Sequence, residues 1–122
     1  MSELNILKKI AQIAYDKKAT SILAYDLDKI SDLTRYTLIC SAGNDRQTKA
    51  ICESIRSTLK QQDGLIPYAV EGVETGNWIL LDYGNIIVNI FLEYIRNYYA
   101  LEQLWAKATP VDLDLKVEEN QF

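Results

Sequence analysis

The chain has 122 residues, 48% apolar and 25% charged, which fits a single soluble domain with its own core and no metal or disulfide staple. It contains no histidine, so the commonest general base, the Ser-His-Asp and Cys-His arrangements and most catalytic zinc sites are excluded. The net charge of −4 is unevenly spread: residues 1–61 carry ten Lys+Arg against seven Asp+Glu, and residues 62–122 carry three against ten.

An acidic second half argues against wrapping nucleic acid, because phosphate contacts need a positive stripe. It favours a basic protein as partner. The apolar runs are too short to span a bilayer, and "MSELNILKKI" lacks a signal-peptide layout, so a cytoplasmic protein is expected, or one of an organelle whose targeting segment is absent here. Cys40 and Cys52 sit inside apolar patterns, as buried free thiols do in a reducing compartment.

Residues 3–15 have helical periodicity, with Leu4, Leu7, Ile10, Ala11 and Ala14 on one stripe. "SILAYDL" (21–27) reads as a strand, "DKISDLT" as a connector and "YTLICS" (36–41) as a buried strand. A long helix follows. Ser41, Gly43 and Asn44 offer caps at its start, Gly64 suits a left-handed stop, and Thr48, Ile51, Cys52, Ile55 and Leu59 form its inner stripe. Its outer stripe, Arg46, Lys49, Glu53, Arg56 and Lys60, reads as a solvated face with Lys49 and Glu53 paired four apart.

"PYAVE" (67–71) is a third strand with Pro67 at its first position. "WILLDY" and "IIVNIF" are joined by Gly84-Asn85, a hairpin signal because these residues accept the positive φ of a primed turn. Residues 92–106 read as a last helix with Tyr98, Leu101, Leu104 and Trp105 on one stripe. The domain is therefore expected over residues 1–106, with 107–122 an acidic, flexible tail. The order predicts an α/β (α+β mixed) fold: a five-stranded mixed sheet flanked by helices, with a right-handed parallel crossover between the second and third strands.

A two-residue turn sets the hairpin register, with Tyr83 facing Ile86 and pairing running back to Trp78 opposite Phe91. One face then collects Ile79, Leu81, Tyr83, Ile86, Val88 and Ile90 and must be core. The other collects Trp78, Leu80, Asp82, Ile87, Asn89 and Phe91. Such a mixture suits a partly exposed docking surface with an aromatic anchor. It equally suits a face covered by a helix whose ends Asp82 and Asn89 cap.

Other chemistry is weaker. Asp26-x-Asp28 at a strand end could hold magnesium against a phosphate, but loop solubility accounts for it as well. "SAGNDRQTK" lacks the phosphate-loop pattern. Glu71 and Asp82 have no nucleophile or oxyanion donor near them in sequence. Catalytic, cofactor and metal residues are thus not assigned.

The segments "DKKATSILAYDL", "SDLTRYTLICSAGNDRQTKAI", "GLIPYAVEG", "NWILLDYGNIIVNIF" and "YYALEQLWA" together resemble the Iojap-type ribosomal silencing factors, from about Leu4 to Ala106. The resemblance implies a non-enzymatic protein that binds ribosomal protein L-fourteen on the large ribosomal subunit. It would thereby block joining of the small subunit and repress translation when nutrients are short. It further implies a nucleotidyltransferase-like topology without the catalytic motif, little direct nucleic-acid contact and a homodimer. The alternatives are a large-subunit assembly factor or a nucleotide-binding protein using Asp26 and Asp28. The family's docking tryptophan and aspartate fall on Trp78 and Asp82, and the candidate docking set is Trp78, Asp82, Leu80, Asn89, Phe91 and Glu71. Two positions depart from the family pattern: Asn85 stands where an aspartate is usual, and Asn89 where a histidine is usual.

Overall fold

The computed structural model describes residues 2–99, 103 and 105–117, with side chains at 98 and 99 outside the description. Helix α1 spans Glu3–Asp16, and the Ser2 side chain accepts from the Asn5 N–H at its start. Ile6, Leu7, Ile10, Ala11 and Ala14 are its buried stripe, with Leu4 at the margin. Helix α2 spans Asp45–Asp63. Asn44 caps it by accepting from the Gln47 N–H at 2.8 Å, and Gly64 ends it at φ 66°. Thr48, Ile51, Cys52, Ile55 and Leu59 are its buried residues, the stripe that periodicity predicts. Lys49 approaches Asp45 at 4.0 Å rather than pairing with Glu53.

The strands are β1 (Thr20–Asp26), β2 (Tyr36–Ala42), β3 (Ala69–Glu71), β4 (Trp78–Asp82), β5 (Ile86–Leu92) and the short β6 (Thr109–Pro110); helix α3 (Glu93–Tyr99) follows β5. They form one sheet in the order β3-β4-β5-β2-β1-β6. Among the described residues, only β2 and β5 pair in parallel. The fold is therefore α+β, and the described residues form a mixed sheet of six strands, rather than the expected five, with three helices.

The crossover also differs. Strand β3 runs in the same direction as β2, but β5 and β4 lie between them. The reason is the hairpin: β5 is buried along nearly its whole length and takes the central place beside the fully buried β2, leaving the three-residue β3 at the edge.

Helices α1 and α2 cover one face of the sheet and enclose the main core with Leu38, Cys40, Ile79, Leu81, Val88 and Ile90. On the other face Ile39 and Phe91 form a smaller cluster with Tyr25, Ile95 and Trp105. The Trp105 ring stacks on Tyr25 at 6.2 Å. The expected stripe at Tyr98, Leu101 and Leu104 lies outside the described side chains. Residues 109–117 run along β1 and α1: Leu113 is buried in the main core and the Lys116 N–H donates to Gln12 Oε1 at 2.9 Å.

Candidate protein-docking face

The β4–β5 hairpin has the register that its turn demands. Trp78 pairs with Phe91, Leu80 with Asn89 and Asp82 with Ile87, and the Tyr83 N–H donates to the Ile86 carbonyl. Positive φ falls on Gly84 alone, as in a turn with glycine at its first central position. Ile79, Leu81, Ile86, Val88 and Ile90 are buried on the α1/α2 side.

On the opposite side exposure is graded. Phe91 is fully buried and Asn89 is 3% exposed, whereas Trp78 is 41% exposed, with Leu80, Asp82 and Ile87 between. The grading follows from α3 and Trp105: among the described residues, Ile95 and Trp105 close over Phe91 and Ile39 rather than over β4. Coverage of this face is thus divided: a helix covers its β5 side, and its β4 side is open. Neither Asp82 nor Asn89 caps that helix. The Asp82 Oδ1 accepts from the Gly84 N–H at 2.8 Å, bracing its own turn. Asn89 Nδ2 donates to Thr37 Oγ1, and Asn89 Oδ1 accepts from Trp78 Nε1, both at 3.1 Å.

Trp78 is therefore held in place while remaining accessible. Its indole N–H is satisfied by Asn89, and its ring leans on Phe91 at a centroid distance of 4.9 Å. The chain leading to it is fixed as well. The Gly76 N–H donates to the Gly72 carbonyl, and the Gly76 carbonyl accepts from Thr48 Oγ1 at 2.7 Å, tying this loop to α2. Gly72 stands at φ 82°, where a Cβ would overlap the Trp78 carbonyl oxygen.

The third strand completes the face. Ala69 pairs with Asp82 and Glu71 with Leu80, so Glu71 shares the side of Trp78, Leu80 and Asp82. Glu71 is exposed. The open patch consequently combines one aromatic anchor, one aliphatic side chain and two carboxylates. Asn89 and Phe91 lie beneath it. Thr37 and Thr48 are supports that sequence reasoning missed. For Thr37 a signal existed: Thr37 and Ser41 alternate with apolar residues in "YTLICS", marking the more polar side of β2.

The look-alikes for other chemistry are occupied structurally. Arg35 grips Asp26 through two bonds, Nε to Oδ1 at 2.9 Å and Nη2 to Oδ2 at 3.1 Å, and Asp26 Oδ1 also accepts from the Asp28 N–H. The Arg35 guanidinium holds the Asp26 carboxyl below the usual carboxylate range. This clamp closes the β1–β2 connector and does not leave two free carboxylates side by side. Asn44 is spent on the α2 cap. Cys40 is buried and burial pushes its thiol up to about 12; Cys52 is also free and is shifted upward by burial.

The fold is shared with solved structures. A Chromobacterium violaceum protein has a TM-score of 0.82 at 28% identity, over 99% of this chain and 98% of that one. A Bacillus halodurans protein has a TM-score of 0.77 at 30% identity, over 88% and 97%. The family described as "Ribosomal silencing factor during starvation" matches residues 1–121. The chain belongs to this family.

Ribosomal silencing factor RsfS of Bacillus subtilis is 36% identical over 119 residues, 98% of this chain and 100% of that one. The maize chloroplastic protein Iojap is 31% identical over 110 residues, 90% of this chain and 47% of that one. As a ribosomal silencing factor of the Iojap kind, the chain is a translation regulator and not an enzyme. The nucleotide-handling alternative for Asp26 and Asp28 is therefore set aside. Among the described residues, no helix is long and apolar enough to cross a membrane.

Proposed function

We propose that the open β4 side of the sheet docks on ribosomal protein L-fourteen of the large ribosomal subunit, in the cytoplasm, and that the bound factor obstructs joining of the small subunit. The observation that carries this assignment is Trp78: a large aromatic side chain 41% exposed, yet oriented by Asn89 and Phe91. A pre-oriented anchor loses little conformational freedom on binding. Glu71 and Asp82 supply negative charge suited to a small basic protein. Within the six-residue docking set, Trp78, Leu80, Asp82 and Glu71 would make the contact, and Asn89 and Phe91 would hold it in shape.

Cosedimentation with isolated large subunits tests this directly. Trp78→Ala should cost about 2 kcal/mol or more of binding. Asp82→Lys should weaken binding further at low salt than at high salt, as charge reversal against a basic partner does. If Trp78→Ala cosediments as well as the wild type, the docking assignment is wrong. A homodimer on the same face is the competing use of these residues. Light scattering with and without the ribosomal protein separates the two, because a shared surface makes the dimer dissociate on binding.

A further inference from the structure

A second exposed aromatic lies at the other side of the β3–β4 edge. Tyr68 is 82% exposed and Ile66 is 66% exposed, on either side of Pro67. A structure that fully hid its apolar side chains would not leave two neighbours of this size in water. Their backbone is not loose: the Tyr68 N–H donates to the Asp82 carbonyl at 2.7 Å and the Leu65 N–H to the Leu59 carbonyl at 3.1 Å. The Tyr68 ring also lies against Gly84, where an added Cβ would come within 3.0 Å of it.

Beside this segment runs an open groove of about 400 Å³ between α2 and residues 65–67, whose lining includes Glu53, Arg56, Lys60, Ile66 and Pro67. Arg56 and Lys60 make no ion pair among the described residues. They continue a stripe that begins with Arg46 and Lys49 on the solvent side of α2, with Glu53 as its acidic interruption. At about 1.5 Å rise per residue the stripe is roughly 20 Å long. The acidic docking patch faces away from it, because α2 packs on the opposite side of the sheet from Trp78 and Asp82.

Cations along a groove, with an exposed aromatic next in the chain to its lining residue Pro67, are the elements of a single-stranded nucleic-acid site: phosphates meet the cations and a base stacks on the ring. We propose that the α2–β3 groove contacts a single-stranded segment of ribosomal RNA, with Arg56 and Lys60 on phosphates and Tyr68 as the stacking platform. An acidic protein would satisfy the two cations but would leave the flat, 82% exposed Tyr68 ring without its matching partner. The proposal rests on the ribosome being the target, and it adds a local RNA contact to a chain whose second half is acidic.

The test uses the full chain, large subunits and isolated ribosomal protein L-fourteen in parallel. Arg56→Ala/Lys60→Ala should reduce affinity for the subunit about tenfold at low salt and flatten the dependence of log K on log salt by about 1.5. Tyr68→Ala should lower subunit affinity by a similar factor without changing that slope. Neither variant should change binding to the isolated ribosomal protein, whereas Trp78→Ala should weaken both. Ultraviolet crosslinking of the wild type should join Tyr68 to RNA. Wild-type affinity and slope in both groove variants, or a crosslink to protein only, overturns the RNA contact. A silent Trp78→Ala beside affected groove variants overturns the docking face instead.

Discussion

The two sides of the β4–β5 hairpin are built from alternate residues of the same two strands, yet they differ sharply in burial. Ile79, Leu81, Val88 and Ile90 are fully buried against α1 and α2. Trp78, Leu80 and Asp82 face the other way and stay partly or largely exposed. One side carries stability and the other is free to carry recognition. The difference teaches that a strand can present a rigid binding surface when its opposite side is locked into the core.

The largest effect should come from the buried side. Leu81→Ala removes a fully buried side chain between sheet and helices, and should cost about 3 kcal/mol in a denaturant unfolding experiment. Trp78→Ala should invert the pattern. Its cost in stability should be only about 1 kcal/mol, from the lost contact with Phe91. Its cost in subunit binding should be larger. Equal losses in both measurements would erase the division between the two sides.

Asn89→Ala tests the connection between them. It strips the partner from Trp78 Nε1 and from the Thr37 hydroxyl, and should cost about 1–2 kcal/mol of stability. Binding should fall less than for Trp78→Ala, since the indole is still present but no longer oriented. Unchanged indole fluorescence anisotropy in that variant would count against an orienting role.

The smallest effect lies outside the hairpin, at Asp26. Its carboxyl titrates below its ordinary value of 3.8 because of Arg35. A carboxylate depressed in the folded state adds stability above its unfolded pKa, and that stability is lost as pH falls through the folded pKa. Asp26→Asn should therefore flatten the acid limb of a stability–pH curve below about pH 4, with little change in subunit binding. An unchanged acid limb would show that the clamp contributes no measurable stability.

Much of this architecture was legible from local pattern. The α2 stripe, its Asn44 and Gly64 caps and the hairpin register each follow from spacing over a few residues, where backbone geometry leaves little choice. The position of β3 was not legible. Direction along a crossover is a local matter, but which strand sits beside β2 depends on how much apolar surface β5 can bury from both sides. The path of residues 109–117 was equally hidden, because "VDLDLKV" is short and the core that Leu113 enters, with Val111 and Leu115 packed against it, is lined by residues far away in sequence. For the docking set, alternation placed Trp78, Leu80, Asp82, Asn89 and Phe91 on one side, but nothing in it could rank their exposure or put Glu71 beside them.

Taken by itself, the chain determined which residues alternate, where helices begin and end, and that histidine-based catalysis is absent. Those are consequences of bond geometry and composition, and they act over a turn or a pair of strands. Tertiary structure alone decided that Asn89 bonds the Trp78 indole while Phe91 is fully buried beside it, that Arg35 occupies Asp26, and that Arg56 and Lys60 border a groove with Ile66 and Pro67. Each of these depends on contacts between different elements, whose arrangement is set by the burial of the whole sheet and not by any one stretch of it.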